Sequence, residues 1–393
     1  MGCEYRKVKL ADLTTTGKGT YGIAASGVEK NDNLYTYLRI TDINDDGTLN
    51  QSDMKSVADD DAAQYLLKPN DIVFARTGGS TGRNYFYDGK DGTFVYAGFL
   101  IKFSIDPLKV NPKYIKYYCQ SDVYKNWVRS FNTGSTRGNI NAQTFGNMEI
   151  PLPPREQQDY LVSVLEPLDE KIAINREIND NLQQQAASIF AGWLNTCTDF
   201  STIGDMAHNI LDYSPVASEQ IRLLNSSDVT EGVFPVVPLV PNKDLKGHFK
   251  KRFQFGDILY SEIRPRNHHY GLVLFDASDY IASTRLMVIR AIENKVSPAM
   301  LYQYLLLPEV EAEFTLKTES RSGTFPQGNY ADMASIQVPY SPTNSQTAVS
   351  EILSRIRFAI AQNQFESQRL AELRDALLPK LMSGEIDVSA VQL

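Results

Sequence analysis

The stretch EIPLPPREQQ, residues 149–158, ends a short apolar run on prolines and then continues into charged and amide residues. A related stretch, QVPYSPTNSQ, occupies residues 337–346, so that Pro151 and Pro339 lie 188 positions apart. This offset is close to half of the 393-residue chain. A spacing of that size indicates an internal duplication.

The duplication extends to other segments, which repeat at an offset of 186 residues. KPNDIVFARTG around Asp71 matches FQFGDILYSEIR around Asp257, and LRITDIN at Asp42 matches LNSSDVT at Asp228. The sequence therefore predicts a module that occurs twice in the chain, with prolines at the boundary of each copy.

Length and composition favour two globular domains rather than one core. The chain is 42% hydrophobic and 22% charged, as expected of a soluble globular protein, and has no apolar run of about 18 residues to span a membrane. No secretory signal is recognisable, and the three cysteines are odd in number and widely spaced, which argues against a disulfide framework. We expect a cytoplasmic protein.

The net charge of −8 discourages strong DNA binding by the chain alone, because phosphate neutralisation needs Lys and Arg. Half of this excess lies in residues 155–195, which carry three basic and seven acidic side chains. The globular halves are therefore near neutral or mildly acidic. Any DNA-binding face must come from local clustering of basic residues.

Two heptad stripes, with residues at alternating steps of four and three, follow the proline stretches. The first stripe is Leu161, Leu165, Leu168, Ile172, Asn175, Asn179, Leu182, Ala186, Ile189 and Trp193. The second, 188 residues later, is Val349, Leu353, Ile356, Ile360, Asn363, Ser367, Leu370, Arg374, Leu377 and Leu381. One such helix could simply cover its own domain. Two matched helices of roughly 50 to 60 Å, at about 1.5 Å per residue, are expected to pack on each other.

The direction of this pair follows from the short connection, residues 195–201, between the first helix and the second module. The second helix must begin near the end of the first and run back, so the pair is predicted to be an antiparallel coiled coil. Buried Asn175 and Asn363 would fix its register. Pro167 predicts a break or kink in the first helix, because proline removes a backbone donor.

The fold class expected is mixed α/β (α+β), with a pseudo-twofold internal repeat. We assign residues 1–154 to the first domain and 155–195 to the first long helix. Residues 196–342 form the second domain, 343–384 the second long helix, and 385–393 a C-terminal tail.

Candidate DNA-contacting residues lie in loops after equivalent strands and in Gly-, Ser- and Arg-rich loops, residues 132–141 and 319–329, before each proline stretch. Arg can donate two hydrogen bonds to guanine, Asn can pair with adenine, and glycine-exposed backbone amides suit phosphates. The candidates in the first half are Arg76, Thr77, Ser80, Thr81, Arg83, Asn84, Ser135, Thr136, Arg137 and Asn139. Those in the second half are Arg264, Arg266, Asn267, His268, His269, Arg321 and Ser322. The alternative is that these loops are ordinary solvated hairpin tips.

Enzyme motifs are absent from the sequence. TTGKGTYG at residues 15–22 resembles a phosphate loop, but Asp12 occupies the position of its required first glycine. The adjacent His268 and His269 cannot both ligate one metal from a strand, and no partner motif follows. We therefore assign no catalytic, cofactor or metal residues and expect a binding protein.

The whole chain resembles the DNA-specificity subunit of type I restriction-modification systems. The two boundaries followed by long helices and the ending LLPKLMSGEIDV, residues 377–388, carry the resemblance most specifically. RTGGSTGRNYFYDG and SEIRPRNHHYGLV are also similar to segments of that family's target-recognition domains.

This resemblance implies a non-catalytic subunit whose two domains each recognise half of a bipartite, asymmetric double-stranded DNA target, with the helices setting the gap. Implied partners are two methyltransferase (modification) subunits that use S-adenosylmethionine, and possibly restriction subunits that use ATP with Mg²⁺. Apolar residues beside the seam are candidates for docking them: Val164, Ile174, Ile352 and Leu373. The alternatives are a coiled-coil adaptor with two protein-binding end domains, and a solitary nuclease or methyltransferase, for which motifs are missing.

Overall fold

The computed structural model describes residues 5–131, 138–243, 245, 247–319, 327–341 and 344–386. The chain divides into two compact units. Unit 1 comprises Met1–Glu170 and Ala371–Leu393, and unit 2 comprises Lys171–Leu370. Each unit contains one globular half and parts of both long helices, so the division falls within the helices and not at the proline stretches.

Unit 1 is built from short strands and helices. Its strands are β1 Arg6–Lys9, β2 Thr20–Tyr21, β3 Gly27–Val28, β4 Tyr35–Leu38, β5 Lys55–Val57, β6 Asp71–Ala75, β7 Asn84–Tyr87, β8 Phe94–Tyr96, β9 Leu100–Ser104 and β10 Glu149–Leu152. Its helices are α1 Pro112–Tyr118, α2 Asp122–Arg129, α3 Ala142–Gly146 and the first part of α4 Arg155–Leu194. The sheets have the strand orders β2-β9-β6-β7, β3-β5-β4-β8 and β1-β10.

Unit 2 repeats this arrangement. Its strands are β11 Asp199–Thr202, β12 Ala207–Asn209, β13 Gln220–Leu224, β14 Leu239–Pro241, β15 Phe249–Lys251, β16 Ile258–Ser261, β17 Tyr270–Leu272, β18 Tyr280–Ser283, β19 Leu286–Ala291 and β20 Gln337–Tyr340. Its helices are α5 Ile203–Met206, α6 Pro298–Leu305, α7 Pro308–Glu319, α8 Tyr330–Ala334 and α9 Asn344–Ser383, which ends in unit 1. The sheets are β12-β19-β16-β17, β14-β13-β18-β15 and β11-β20.

The sheet orders confirm the predicted mixed α/β repeat. The order β2-β9-β6-β7 corresponds to β12-β19-β16-β17, strand for strand. In the second sheet, β5-β4-β8 corresponds to β14-β13-β18, including one parallel pair in each unit. The copies differ at the margins of this sheet, where unit 1 adds β3 beside β5 and unit 2 adds β15 beside β18.

The proline stretches close each module onto its own first strand. Strand β10 pairs antiparallel with β1, placing Pro151 opposite Lys7, and β20 pairs with β11, placing Pro339 opposite Phe200. Two-stranded ribbons tolerate proline because an edge strand can leave one row of backbone groups unpaired. A tyrosine hydroxyl at the equivalent place donates to each proline carbonyl, over 2.5 Å in unit 1 and 2.7 Å in unit 2.

The repeated aspartates hold equivalent turns. Asp71 and Asp257 are 2% and 0% exposed. The backbone N–H of Lys68 donates to Asp71 over 2.8 Å, and that of Gln254 donates to Asp257 over 2.8 Å. A buried carboxylate needs such donors, so these acids repeat because the turn before β6 and β16 requires them.

The two heptad stripes are buried or half-buried along α4 and α9, as predicted. Leu165 lies in the core of unit 1 together with Leu378, a residue next to the stripe. Trp193 and Leu353 lie in the core of unit 2. The helices therefore cover the globular cores and also pack on each other, which combines the two arrangements that the sequence allowed.

The helices are antiparallel where their polar residues meet in unit 2. Asn175 Nδ2 donates to Ser367 Oγ over 3.2 Å, and Asn363 Nδ2 donates to Asn179 Oδ1 over 2.9 Å. Residue numbers rise on α4 as they fall on α9, which confirms the predicted direction. Asn175 is fully buried, and its Oδ1 has no hydrogen-bond partner among the described residues.

The predicted break at Pro167 does not occur, because α4 is one 40-residue helix with this proline inside it. Proline at this position leaves the carbonyl of Ser163 without its helical donor. Both residues are exposed, so water can satisfy that carbonyl. The cost, on the order of 3 kcal/mol, is offset by the packing of the stripe.

Candidate nucleic-acid interface

Three loops of unit 1 meet at the end of β6. These are residues 76–83, 97–100 and 138–140, which we call the three-loop edge of unit 1. The N–H of Arg76 donates to Phe99 O over 3.1 Å, and the N–H of Ile140 donates to Arg76 O over 2.9 Å. Backbone hydrogen bonds therefore hold the loops together independently of their side chains.

Unit 2 has the same edge, formed by residues 262–269, 283–286 and 327–328. The N–H of Glu262 donates to Arg285 O over 2.9 Å, and the N–H of Gly328 donates to Glu262 O over 2.8 Å. Glu262 and Arg285 are thus the counterparts of Arg76 and Phe99 of unit 1. One backbone framework presents different chemistry in the two copies.

The hairpin tips share a left-handed backbone at two equivalent positions. In unit 1 these are Gly78 and Gly82, with φ of +77° and +87°. In unit 2 they are Arg264 and His268, with φ of +47° and +54°. Left-handed conformations favour glycine, and a non-glycine residue there costs on the order of 1 kcal/mol or more. Such strain persists where the side chain has a use, which supports a functional role for the unit 2 tip.

Arg76 lies among exposed aromatic rings. Its guanidinium carbon is 5.1 Å from the ring centroid of Tyr21 and 6.0 Å from that of Phe99. The two rings are 42% and 57% exposed. Arg76 Nε is buried without a hydrogen-bond partner among the described residues. A planar cation beside exposed aromatic rings suits recognition of bases or phosphates.

Sequence reasoning found Arg76 but missed Tyr21 and Phe99. Their signal was an aromatic residue beside a glycine, in TYG and GFL. That pattern is common in turns, and only the pairing of β2 with β9 brings Tyr21 to this edge. The aromatic part of the site therefore required the folded structure.

Two other predicted residues of unit 1 have internal partners. Arg83 Nε lies 2.7 Å from Asp45 Oδ1, and Arg83 Nη1 donates to Ile43 O over 3.1 Å. Asn84 is 5% exposed, and its amide donates to Cys119 O over 3.1 Å. These contacts give Arg83 and Asn84 structural roles beside the three-loop edge of unit 1.

The smaller predicted residues shape the hairpin tip. Thr77 and Ser80 are half-buried, and Thr77 pairs across to Asn139 in an isolated β-bridge. Thr81 Oγ1 donates to the carbonyl oxygens of Gly78 and Gly138, over 2.8 and 3.0 Å. Thr81 therefore ties the hairpin tip to the third loop. The remaining predicted residues lie outside the described part of the chain: Ser135, Thr136, Arg137, Arg321 and Ser322.

The unit 2 tip exposes several of its predicted residues. Arg264 and Asn267 are exposed. The side chain of Arg266 is 72% exposed and lies 3.1 Å from Glu319. An ion pair this exposed contributes at most about 1 kcal/mol, so Arg266 can exchange its carboxylate for another anion at little cost.

The two adjacent histidines of the unit 2 tip, His268 and His269, have partners within the unit. His268 lies between two carboxylates, with Nδ1 3.0 Å from Glu231 and Nε2 2.8 Å from Glu311. The hydrogen bond with Glu231, together with Glu311, raises the pKa of His268 above its ordinary value. His269 Nδ1 lies 2.9 Å from the carbonyl oxygen of Val229. Both imidazoles stabilise the hairpin in this conformation.

Among the described residues, no cluster of His, Cys, Asp and Glu could hold a metal ion. No described helix combines the length and apolarity needed to cross a bilayer. Cys119 and Cys197 are free thiols.

Three of the four predicted docking residues are exposed on the long helices. Ile174, Ile352 and Leu373 are 50%, 44% and 47% exposed. Val164 instead packs partly buried against the core of unit 1. The first three remain candidates for a protein interface.

Two copies of one mixed α/β module, each gathering arginine-bearing loops at one edge, define a duplicated recognition protein. Comparison with known proteins identifies the family to which this recognition protein belongs. The type I restriction modification DNA specificity domain matches residues 3–184 and again residues 224–374. The chain belongs to this family, which agrees with the resemblance seen in its sequence.

Individual relatives show the same relationship. The chain is 34% identical over 179 residues to the HindI type I restriction enzyme specificity subunit of Haemophilus influenzae, a match covering 45% of this chain and 39% of that subunit. It is 22% identical over 299 residues to the MjaIX specificity subunit of Methanocaldococcus jannaschii, covering 70% and 69%. The crystal structure of a type I restriction-modification S subunit from M. genitalium matches 96% of both chains with a TM-score of 0.58 at 16% identity. At this level of identity, the likeness to the M. genitalium structure shows a shared fold alone.

Proposed function

We propose that this chain is the DNA-recognition subunit of a type I restriction-modification complex and that each unit reads one half of a bipartite, asymmetric target. The observation that carries this proposal is the three-loop edge, which both units build with the same backbone hydrogen bonds and different side chains. Identical readers would suit a symmetric target. Different readers on one scaffold suit two unlike half-sites.

The long helices complete the proposal. Spacing the two readers by a helical pair fixes the number of unread base pairs between the half-sites. Exposed Ile174, Ile352 and Leu373 offer docking positions to two modification subunits. Those subunits would bring S-adenosylmethionine, and restriction subunits, where present, would bring ATP with Mg²⁺. The acidic balance of this chain fits such a cytoplasmic complex, because partner subunits can supply phosphate contacts.

The test is the base preference of the assembled methyltransferase carrying Arg76→Ala. Duplexes with each base of each half-site changed singly would be compared for binding. Loss of one arginine–base contact is expected to cost about 1–3 kcal/mol at one position of one half-site. Arg129→Ala is a matched control, because Arg129 lies on α2, outside the three-loop edge of unit 1.

Equal changes of preference in both half-sites after Arg76→Ala would refute the assignment of one reader to each unit. A coiled-coil adaptor with protein-binding ends predicts a different result, in which Arg76→Ala leaves DNA binding by the complex unchanged.

A further inference from the structure

We infer that Arg285, on the second loop of the three-loop edge of unit 2, reads a base in the half-site assigned to that unit. The inference rests on the proposed function. It names a residue that the hairpin-tip pattern does not include, because Arg285 lies 16 residues beyond His269, the last residue of that pattern.

The position of Arg285 is fixed by the repeat. Glu262 N–H donates to Arg285 O over 2.9 Å, as Arg76 N–H donates to Phe99 O over 3.1 Å in unit 1. The two units therefore place a cation at neighbouring positions of the same backbone framework. It is Arg76 in the first loop of unit 1 and Arg285 in the second loop of unit 2. Unit 1 has the cation at the end of β6 with an aromatic ring beside it, and unit 2 has an acid at the end of β16 with the cation beside it.

Glu262 does not neutralise Arg285 in this structure. Its carboxylate oxygens lie 3.5 Å from Lys251 Nζ and 3.5 Å from Gln327 Nε2, and its side chain is 18% exposed. Lys251 is 4% exposed and also donates to Leu286 O over 2.7 Å. The acid is thus the internal counter-charge of a buried lysine, which needs such a partner.

Arg285 is left as the outward cation. It is exposed, and its guanidinium makes no ion pair or hydrogen bond with the described residues. Strand β15 adds exposed Lys250, and exposed His248 directly precedes this strand. The N–H of Thr284 donates to His248 O over 2.7 Å. A free guanidinium within a small basic group beside the hairpin tip has the chemistry to bind the O6 and N7 atoms of guanine in a major groove.

The experiment measures binding of the assembled methyltransferase to a duplex library in which both half-sites are randomised in turn. Arg285→Ala is expected to relax preference at one position, in one half-site, by about 5- to 150-fold, the range for a lost bidentate base contact. Arg285→Lys should lose this preference as well, because an ammonium keeps the charge without the planar fork. Lys250→Ala removes a positive charge of the same basic group that has no planar fork, so it should weaken binding equally on all sequences and leave the preferred bases unchanged.

The outcomes separate this inference from the function on which it rests. Unchanged preference, or equal weakening on every sequence with full rescue by Arg285→Lys, would show that Arg285 reads no base. If Arg76→Ala still altered one half-site in the same assay, the proposed function would stand and the role of Arg285 would fall. Equal melting temperatures of the variants and the parent chain would exclude misfolding as the cause of any loss.

Discussion

Arg83 gives the sharpest test of how the structure changes the interpretation of the sequence. The sequence pattern offers it as a base-contacting residue, whereas the structure engages it with Asp45 and with the carbonyl of Ile43. We predict that Arg83→Ala lowers the stability of unit 1 and leaves the base preference of the complex unchanged. Arg76→Ala should instead change the base preference of the complex and leave the stability of unit 1 unchanged.

The magnitude follows from the two contacts. Asp45 is 85% exposed, so the ion pair contributes about 0–1 kcal/mol after solvent screening. The hydrogen bond to the carbonyl of fully buried Ile43 adds roughly 1 kcal/mol, because the Arg83 side chain is itself 30% exposed. The expected loss of unfolding free energy is therefore about 1–2 kcal/mol, or roughly 2–8 °C in Tm for a unit of this size.

Calorimetry of the purified chain would measure this loss, with Asp45→Ala and the double variant completing a double-mutant cycle. The cycle should return a coupling energy of about 0.2–1 kcal/mol between the two side chains. If Arg83→Ala kept the parent Tm and instead relaxed recognition of one base, Arg83 would be a reader and its contacts here would be incidental.

Two other perturbations act on unit 2 and on the long helices. Because Glu231 and Glu311 raise the pKa of His268, the stability from this contact is complete below the unfolded-state pKa of about 6.5 and is lost as pH rises through the folded value. Melting curves from about pH 5.5 to about pH 8.5 should therefore show a pH-dependent loss that His268→Gln removes, and parallel curves for both chains would contradict it. Deleting one heptad of α4 between Leu168 and Leu182, with its counterpart in α9, shortens each helix by about 10 Å, close to three base pairs. Methylome mapping should then find the same half-sites with a narrower gap, and an unchanged gap would mean that the helices do not set it.

The duplication and the long helices could be predicted because their signals are local and periodic. Pro151 and Pro339 mark equivalent strands, and the repeated Asp71 and Asp257 mark equivalent turns whose backbone donors need a carboxylate. A heptad stripe identifies a buried helix face whatever lies opposite it. The stripe could not show that α4 continues through Pro167, because the outcome depends on packing that offsets the local cost of proline.

The membership of the candidate site depended on contacts between residues distant in sequence. Arg76 and Arg83 stand seven positions apart in one glycine-rich loop and look equally suited to DNA. Folding brings Arg76 against Tyr21 and Phe99 at an exposed edge, and brings Arg83 against Asp45. Residue type determines the chemistry of both side chains. Strand pairing determines which of the two arginines remains available to contact DNA.

Arg285 is a residue whose proposed role the sequence alone did not indicate. Its sequence surroundings, STRLMV, carry no glycine-rich loop or basic cluster that would single it out. Arg285 lies beside Glu262 because β16 pairs with β19. Glu262 does not pair with Arg285 because Lys251, on a third strand, binds that carboxylate instead. Local sequence determines which segments become strands and helices, because propensity and periodicity act over a few residues. The exposure and charge of a single side chain depend on long-range neighbours, which only the assembled sheets bring together.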